Sequence, residues 1–562
     1  MAKVGPNVMA WGRPMWTERM FAPTAGLDHL GLASVSQDRI LPSLSPGINV
    51  LTVHPRYWSV YCWLLTEFWE RDLPRTKAAW GRFLKPRERI FVAAVLSCDR
   101  HGVDIGQVGG KQALGLEIAE GASTFDPKGR YLKNAQGGYG IYASAIAQMG
   151  LTVLGATTSQ FACDAPTEAG KALGFALRDA VDGSRYLAEH FDDDTTPVPA
   201  TVVQEYGQLV CLCRLADGPD RGLLAEAFLH GGEELEAERR RASLQLVLDM
   251  SDTVDGEIDE DLFRTLVYHR QDDTQSSYVP TGPSITRTLR GWRLYQLREQ
   301  QAWALNRWLR LLCDRRPAVG ADGITADLDD LLAAGSVVDM DVLASALGIE
   351  DAPGLTGDSP LTELMDWVRI NAQISTDLNA EWPWTAPASE WRVWDHLTDM
   401  DRKGEDVTAG IVVMLLASGA RLWPREHRLT YADNWHLVQA GGLRRLSVER
   451  LLQDLRRLVA DDATVGETAR WLLEHYVVRQ HHRVALAKLP DDTFRFRLDA
   501  GRVVFTDQTI PVVMNSARYH ALATCAAELG WTSSLYDGQR TLTPEGRELA
   551  ATGDASPVGA AL

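Results

Sequence analysis

Hydrophobic positions recur at helical spacing through most of the chain. In HPRYWSVYCWLLTEFWERDL, the side chains of Trp58, Tyr61, Leu65 and Phe68 fall on one helical face. The segment GWRLYQLREQQAWALNRWLRLLCDRR carries apolar residues on two faces, which is typical of a helix at the centre of its domain. The pattern predicts a mainly α-helical protein. A β-hairpin is expected at FRFRLDAGRVVF, with Ala500 and Gly501 at the turn.

Two segments of the chain share a layout. YASAIAQMGLT followed by PTEAGKAL, and ALATCAAELGWT followed by YDGQRT and LTPEGREL, each join a helix ending at glycine (Gly150, Gly530) to a second helix opened by threonine (Thr167, Thr543). This layout resembles the helix, two-stranded wing and closing helix of winged-helix proteins. The resemblance implies two winged-helix-like modules. It leaves open whether they contact DNA, contact a protein partner or serve only in packing.

The length of 562 residues predicts several domains, because one hydrophobic core does not grow to this size. Clusters of Gly and Pro, together with shifts in composition, suggest the domain boundaries. The expected units are an N-terminal helical domain ending in a winged-helix-like segment (1–185), a central helical domain (186–320), an acidic junction or mobile arm (321–360), a helical domain (361–490), a C-terminal winged-helix-like module (491–552) and a disordered tail (553–562). Residues 1 to about 50 read as rich in loops.

Charge and hydropathy limit which cellular compartment and which binding partners are expected. The formal net charge of −18 opposes non-specific binding of nucleic acid over most of the surface. No stretch reaches the roughly 18–20 uncharged apolar residues of a spanning helix, and the N-terminus lacks a signal-peptide pattern. The 7 cysteines form no regular framework, which is typical of reduced thiols. We therefore expect a cytoplasmic protein without membrane association.

Cysteine and acidic residues give weak indications of metal binding. Cys211 and Cys213 form a CxC pair on the strand-like run LVCLCRL, without a second cysteine pair or a histidine nearby in the sequence. Since a tetrahedral zinc site needs four ligands, a packing role is favoured for both thiols. In HFDDDTTP, His190 precedes three aspartates at a helix end, where solvated acids are common. No metal ligand is predicted.

Histidines and loops supply no recognisable catalytic site. His475, Arg479 and His482 share a helical face but lack the HExxH pattern, so a polar face or a phosphate-facing patch is favoured. The chain contains no GxxxxGK[ST] loop, no GxGxxG between a strand and a helix, and no GxSxG elbow. We predict no cofactor and no catalytic residue, and whether the chain is an enzyme stays open.

Arginine patches and tryptophans are the candidate contact residues. Arginine with aromatic neighbours suits contacts to nucleic acid, although salt bridges to the many acids are an alternative. Tryptophan is enriched at binding hot spots. The candidates for binding DNA or a partner are Arg287, Arg290, Arg293, Arg298, Arg444, Arg445, Arg518 and Arg547, and those for a protein interface are Trp382, Trp384, Trp391 and Trp394.

Several stretches resemble known proteins. GLDHLGLASVS through LSPGINVLTVHPRYWSVYCWLL, then GGYGIY before MGLT, and later WRLYQLREQQAWAL are similar to large uncharacterised bacterial proteins. Such proteins are often encoded beside anti-phage defence or mobile-element genes. The resemblance covers roughly residues 1–310 and implies a genomic context, without assigning a functional residue.

These observations predict a non-catalytic scaffold, or a component that binds DNA or a partner, in a multi-protein prokaryotic system for antiviral defence. The expected partners are other subunits of that system, such as an ATPase or a nuclease, with duplex DNA as a further possibility. Two alternatives stay open: a metal-dependent nuclease or other hydrolase whose site is not recognisable from sequence, and a DNA-binding regulator.

Overall fold

The computed structural model describes residues 28–155, 162–272, 274, 276–314, 325–349, 354–375, 382–403, 407–424, 427–506, 510, 512–533 and 541–553. Within these ranges the protein is mainly helical with small sheets, which confirms the predicted class. The same residues include no helix that is long and apolar enough to cross a membrane. Apart from Thr541 and Gly553, the stretch YDGQRT and the expected disordered tail lie outside the described residues.

The first half of the chain forms twelve of the described α-helices. In chain order they are α1 (Ala33–Val35), α2 (Leu41–Leu44), α3 (Arg56–Glu70), α4 (Lys77–Leu96), α5 (Lys111–Ala119), α6 (Tyr139–Gln148), α7 (Glu168–Val181), α8 (Ala200–Val210), α9 (Arg221–His230), α10 (Glu234–Thr253), α11 (Glu260–His269) and α12 (Pro283–Asp314). The expected break at Gly231-Gly232 separates α9 from α10, and the predicted helices around Trp58 and Trp292 are confirmed as α3 and α12.

The second half adds shorter helices and the three-stranded sheet. The helices are α13 (Leu328–Gly335), α14 (Met340–Leu347), α15 (Leu361–Asn371), α16 (Glu390–Lys403), α17 (Thr408–Ala420), α18 (His427–Thr430), α19 (Trp435–Gln439), α20 (Val448–Ala460), α21 (Val465–Leu472), α22 (Arg479–Ala487), α23 (Tyr519–Glu528) and α24 (Pro544–Thr552). The strands of the whole chain are β1 (Thr124–Phe125), β2 (Thr152–Val153), β3 (Ala165–Pro166), β4 (Val198–Pro199), β5 (Thr325–Asp327), β6 (Phe496–Asp499) and β7 (Arg502–Phe505).

All of these strands pair antiparallel. β1 pairs with β4, β2 with β3, and β7 lies between β5 and β6. The predicted hairpin is confirmed, since Asp499 pairs with Arg502 across Ala500 and Gly501, whose φ angles are 45° and 83°. Two consecutive positive φ values are those of a tight two-residue hairpin turn.

Near the N-terminal end, part of the stretch expected to be loops is helical. α1, a π-helical turn (Ser36–Ile40) and α2 follow one another directly. Asp28 explains this start, because its carboxylate accepts from the backbone N–H of Leu32 at 2.8 Å and of Ser34 at 2.9 Å. A carboxylate that satisfies these free donors stabilises a helix start.

Two hydrophobic cores meet along α12. The first core gathers buried side chains mostly from 35–297 and 517–550, and the second gathers Leu30, Leu32 and side chains from 302–510. Every residue of α12 from Gly291 to Leu305 is buried, with Leu297 in the first core and Ala302 in the second. The helix with two apolar faces is therefore central, as its pattern predicts. The cores divide the chain differently from the six expected segments, since 496–505 and 517–550 belong to different cores.

The acidic stretch 321–360 is folded where it is described. Asp327 caps α13 by accepting from the backbone N–H of Asp329 and Asp330, and Asp339 caps α14 by accepting from Val342 N–H. Leucines of both helices and Met340 of α14 lie in the second core. Several of the acidic residues thus begin helices within the described part of this stretch.

The two similar segments share the same local geometry. Thr167 Oγ accepts from Gly170 N–H at 3.1 Å and donates to the Gly150 carbonyl at 2.8 Å. Thr543 Oγ accepts from Gly546 N–H at 3.1 Å and donates to the Gly530 carbonyl at 2.9 Å. We call residues 139–181 the N-terminal module and residues 519–552 the C-terminal module.

Both modules need glycine at the same two points. Gly150 and Gly530 end the first helix of each module with φ angles of 71° and 78°, a conformation that favours glycine. A Cβ at Gly170 would lie 2.0 Å from the Leu151 carbonyl oxygen, and one at Gly546 would lie 1.9 Å from that of Trp531. The repeated sequence pattern therefore encodes a repeated backbone contact.

Candidate metal centre

Two helix ends bring four metal-binding side chains together. Cys98 and His101 follow the C-terminus of α4, and Cys211 and Cys213 follow the C-terminus of α8. Gly207 in α8 permits this, because a Cβ there would lie 2.7 Å from the Ala94 carbonyl oxygen in α4. Close packing of the two helices therefore places their C-terminal turns side by side.

The four donor atoms have the spacing of a tetrahedral site. The Sγ of Cys213 lies 3.7 Å from that of Cys98 and 3.5 Å from that of Cys211. His101 Nε2 lies 3.0 Å from Cys211 Sγ, and all four donor atoms lie within 4.8 Å of one another. These sulfur separations exclude a disulfide, whose S–S bond is about 2.05 Å. They match the sulfur–sulfur edge of about 3.8 Å in a tetrahedron with Zn–S bonds of about 2.3 Å.

The imidazole of His101 is oriented to act as a ligand. Its Nδ1–H donates to the backbone carbonyl of Gly102 at 2.8 Å, which leaves Nε2, facing the sulfurs, as the nitrogen that can bind a metal once its proton is displaced. A hydrogen bond from the second ring nitrogen to a carbonyl is the usual arrangement for histidine bound to zinc. The 3-10 turn Gly102–Asp104 holds this carbonyl in place.

Hydrogen bonds within the cluster shift the pKa values of its members. Burial lowers the pKa of His101, but hydrogen bonds with the Cys213 and Cys98 sulfurs outweigh it and raise the pKa to about 10. Hydrogen bonds with the Cys211 and Cys213 sulfurs lower the pKa of Cys98, and hydrogen bonds with the Cys213 and Cys98 sulfurs raise the pKa of Cys211. A divalent cation bound by the four donors would replace these shared protons.

Two arginines hold the backbone of the ligand residues. Arg56 Nη1 donates to the Cys211 carbonyl at 2.7 Å, and Arg100 Nη1 donates to the Cys213 carbonyl at 3.4 Å. Three thiolates around one Zn²⁺ carry a net charge of −1, which the two guanidinium groups offset. The donor set of three soft sulfurs and one imidazole selects zinc among common divalent metals.

The arrangement favours metal binding over the expected packing role of Cys211 and Cys213. The run LVCLCRL is not a strand, because α8 ends at Val210 and a 3-10 turn (Leu212–Asp217) follows. The missing half of the site, Cys98 and His101, lies more than a hundred residues upstream. The sequence signal that could have indicated the site is the pair Cys98-x-x-His101 together with the pair Cys211-x-Cys213, because each pair supplies two ligands.

The acidic run considered for metal binding is occupied by other contacts. Asp192 pairs with Arg71 at 2.8 Å and Asp194 with Lys128 at 2.9 Å. Asp193 accepts from the Thr195 N–H at 2.9 Å. These contacts agree with the favoured interpretation of solvated surface acids.

The predicted histidine face lies on the π-helical turn Leu473–Val478, between α21 and α22, and on α22 itself, and its side chains contact others of the chain. His475 stacks on Trp471 with ring centroids 4.4 Å apart, and Arg479 pairs with Glu474. His481, beside this face, is fully buried, and its Nε2 accepts from the Arg495 N–H at 2.9 Å. The face is polar, and His475 and Arg479 contact side chains of the same helical segment.

The eight predicted arginines fall into a buried and an accessible set. Arg298 donates to the carbonyls of Leu446 and Arg445 at 2.7 and 2.9 Å, and Arg518 donates to the Ile48 carbonyl at 2.6 Å. Arg293 lies 4.5 Å above the ring of Trp382. Enclosed in this way, these three side chains stabilise the fold rather than reach a ligand. The accessible or half-buried members are Arg287, Arg290, Arg444, Arg445 and Arg547.

The predicted interface tryptophans also divide. Trp382 is 4% exposed, with its ring between Arg293 and the guanidinium of Arg421, which is 4.2 Å away. Trp391 is 9% exposed and stacks on Trp394 with centroids 5.0 Å apart. Trp384 and Trp394 are half-buried. Trp382 is thus a core residue, and Trp384 and Trp394 are the members of the set with accessible surface.

Comparison of the chain with models of known protein families, with curated proteins and with solved structures gives no match.

Proposed function

We propose that this chain is a non-catalytic platform, stabilised by a structural zinc ion, within a multi-protein prokaryotic system of antiviral defence. The observation that carries the proposal is the complete ligand set of Cys98, His101, Cys211 and Cys213. Catalytic zinc usually has three protein ligands and keeps a fourth position for water, whereas structural zinc has four. The resemblance of the N-terminal half to proteins encoded beside defence genes supports the context.

The two modules support a role in packing or partner binding rather than in reading DNA. We propose that both are winged-helix-like. In the C-terminal module, α23 is buried along its length, with only His520 exposed. In the N-terminal module, the exposed residues of α6 are Gly140, Ile141 and Ser144, none of them basic. Reading the major groove needs a helix whose polar or basic side chains reach the base edges.

An accessible cleft beside Arg287 supports a protein partner. It has a volume of about 340 Å³ and is lined by Arg239, Glu238, Asp433 and His436, among others. Arg287 pairs with Asp433 at 3.4 Å on this surface. Mixed charges of this kind suit a polar protein segment better than the uniformly negative backbone of DNA.

Co-purification with metal analysis tests the proposal. The chain is co-expressed with its genomic neighbours, and the purified material is examined by mass photometry with and without duplex DNA. We expect about one zinc ion per chain, as for a single four-ligand site, and an assembly with a second subunit whether or not DNA is present. A lone monomer without zinc would contradict the proposal, as would assembly only on DNA.

A matched pair of variants tests the ligand assignment. Cys213→Ser removes one donor, so we expect the zinc content to fall well below that of the wild-type chain. Cys163→Ser changes another cysteine that is buried in the first core, away from the cluster, and zinc should stay bound. Equal zinc contents in the two variants would refute the assignment.

A further inference from the structure

The segment that supplies two of the metal ligands also contacts the C-terminal module. It runs from Cys211 through the 3-10 turn Leu212–Asp217 to Arg221 at the start of α9. The 3-10 turn packs against α23. One short stretch of chain therefore contacts both the candidate metal centre and the C-terminal module.

Arg56 ties the two ends of this segment together. Its Nη1 donates to the Cys211 carbonyl at 2.7 Å, and its Nη2 pairs with Asp220 Oδ1 at 3.3 Å. The side chains of Arg56 and Asp220 are 1% and 0% exposed. A buried ion pair has little freedom to move, so a shift of Cys211 is transmitted to Asp220 and to its neighbour Arg221.

Arg221 holds both helices of the C-terminal module. Its Nε donates to the Leu529 carbonyl at 2.7 Å, at the end of α23, and its Nη2 pairs with Glu545 at the start of α24. A Cβ at Gly530 would lie 3.3 Å from Arg221 Nε, so glycine at this helix end gives the guanidinium room. The contact of α9 with both helices of the module therefore depends on the position of the Arg221 side chain.

A second buried link lies beside the first. His54 Nδ1 is 2.7 Å from Glu528 Oε1, with both side chains 3% exposed. His54 precedes the start of α3, two positions before Arg56, so the same turn contacts the metal-ligand segment and α23. Two links that share Arg56 therefore join the candidate metal centre to the C-terminal module.

We infer that zinc binding and docking of the C-terminal module are thermodynamically coupled. The inference rests on the proposed zinc centre. With zinc bound, the turns that carry Cys98, His101, Cys211 and Cys213 are fixed, and Arg56 and Arg221 keep the positions that hold α23 and α24. Without zinc, these turns lose their shared ligand and the links to the module weaken. Coupling between two sites is reciprocal, so weaker docking also weakens zinc binding.

Contacts on the far side of the module limit the effect. Gln245 in α10 donates to the carbonyls of Leu549 and Ala550 in α24 at 3.2 and 3.4 Å, without involving the metal centre. On zinc removal the module therefore loosens at α23 and at the start of α24, while the end of α24 stays against α10. This predicts faster local opening rather than global unfolding.

Hydrogen exchange measured by mass spectrometry tests the first direction of the coupling. The full-length chain is compared with and without a zinc chelator, with zinc content measured in both samples. We expect amide exchange in residues 519–533 and 541–548 to become at least about 5-fold faster without zinc, the lower end of typical coupling. Exchange in α17, at the centre of the second core, should stay unchanged.

Zinc affinity of arginine variants tests the reverse direction. Arg221→Ala removes the link to Leu529 and Glu545 but no ligand, and we expect the zinc Kd to rise about 10-fold. Arg221→Lys keeps the charge and loses the two-pronged geometry, so an intermediate increase is expected, and this variant serves if Arg221→Ala does not fold. Arg185→Ala breaks the exposed Arg185–Glu205 pair at the surface of α8, removes no ligand and no contact to the C-terminal module, and should leave the Kd unchanged.

The outcomes separate the inference from the proposed function. Absence of zinc from the purified wild-type chain overturns the proposed zinc centre and the coupling with it. Stoichiometric zinc, with equal exchange in both samples and a wild-type Kd in both Arg221 variants, overturns the coupling alone. Faster exchange in the module together with a raised Kd establishes it.

Discussion

A buried ion pair joins the two cores, and its loss should be costly. Glu390 in α16 accepts from Arg421 Nε at 2.5 Å and from its Nη2 at 2.8 Å, and both side chains are 0% exposed. Tyr268 donates to Glu390 at 2.7 Å, and the Arg421 guanidinium lies 4.2 Å from the Trp382 ring. Burial alone would raise the pKa of Glu390, but the charge and hydrogen bonds of Arg421 hold it below its ordinary value.

The geometry gives the size of the effect. At an effective dielectric constant of about 20, two charges about 2.8 Å apart attract by about 6 kcal/mol, which offsets a desolvation penalty of several kcal/mol per ion. Glu390→Gln leaves Arg421 charged, enclosed and without its counter-ion. We therefore expect the free energy of unfolding to fall by about 3–5 kcal/mol.

A double-mutant cycle provides the assay. Glu390→Gln, Arg421→Met and the combined variant are unfolded in urea and followed by tryptophan fluorescence. The combined variant should lose less than the sum of the single changes, because no unpaired charge is left buried. As control, Glu205→Gln breaks the exposed pair with Arg185 and should leave the free energy of unfolding nearly unchanged. A cost for Glu390→Gln as small as that of Glu205→Gln would refute the reasoning.

Three further predictions concern the pH response and the turns. Burial lowers the pKa of His481 from 6.5 to about 3. The contribution of the neutral imidazole to stability is therefore complete above pH 6.5 and is lost as the pH falls towards 3. In His481→Gln, the free energy of unfolding measured over this pH range should decline less steeply than in the wild type. Gly546→Ala should destabilise the protein by about 1–3 kcal/mol in urea unfolding, because its Cβ would meet a backbone oxygen at 1.9 Å, whereas Gly222→Ala, with nothing within 4 Å, should be neutral or slightly stabilising. Ala500→Asn should raise the unfolding free energy by up to about 1 kcal/mol, since Asn adopts the positive φ of this hairpin turn more readily than Ala; an unchanged midpoint would show that the turn is not strained.

Local structure was predictable from the sequence because its signals are local. The two apolar faces of α12, the threonine caps at Thr167 and Thr543, and the hairpin at Ala500 and Gly501 depend on residues a few positions apart. The helical start after Asp28 was missed, since one carboxylate there captures several backbone N–H groups in a stretch otherwise rich in glycine and proline.

The candidate site was not predictable, because it depends on contacts between distant segments. Cys98 and Cys213 are 115 positions apart, and only the packing of α4 on α8 brings them within 3.7 Å. Burial of arginine was missed for the same reason. Arg298 looks like a surface cation in sequence, yet it donates to carbonyls that follow nearly 150 positions later. The positions of arginines in a sequence do not reveal which backbone carbonyl groups will surround each guanidinium in the fold.

X-ray absorption spectroscopy at the zinc edge, on the purified full-length chain, tests the central claim most directly. The account predicts a first shell of about three sulfurs at about 2.3 Å and one nitrogen at about 2.0–2.1 Å. A shell of nitrogen and oxygen only, or zinc no higher in the wild-type chain than in Cys213→Ser, would contradict it.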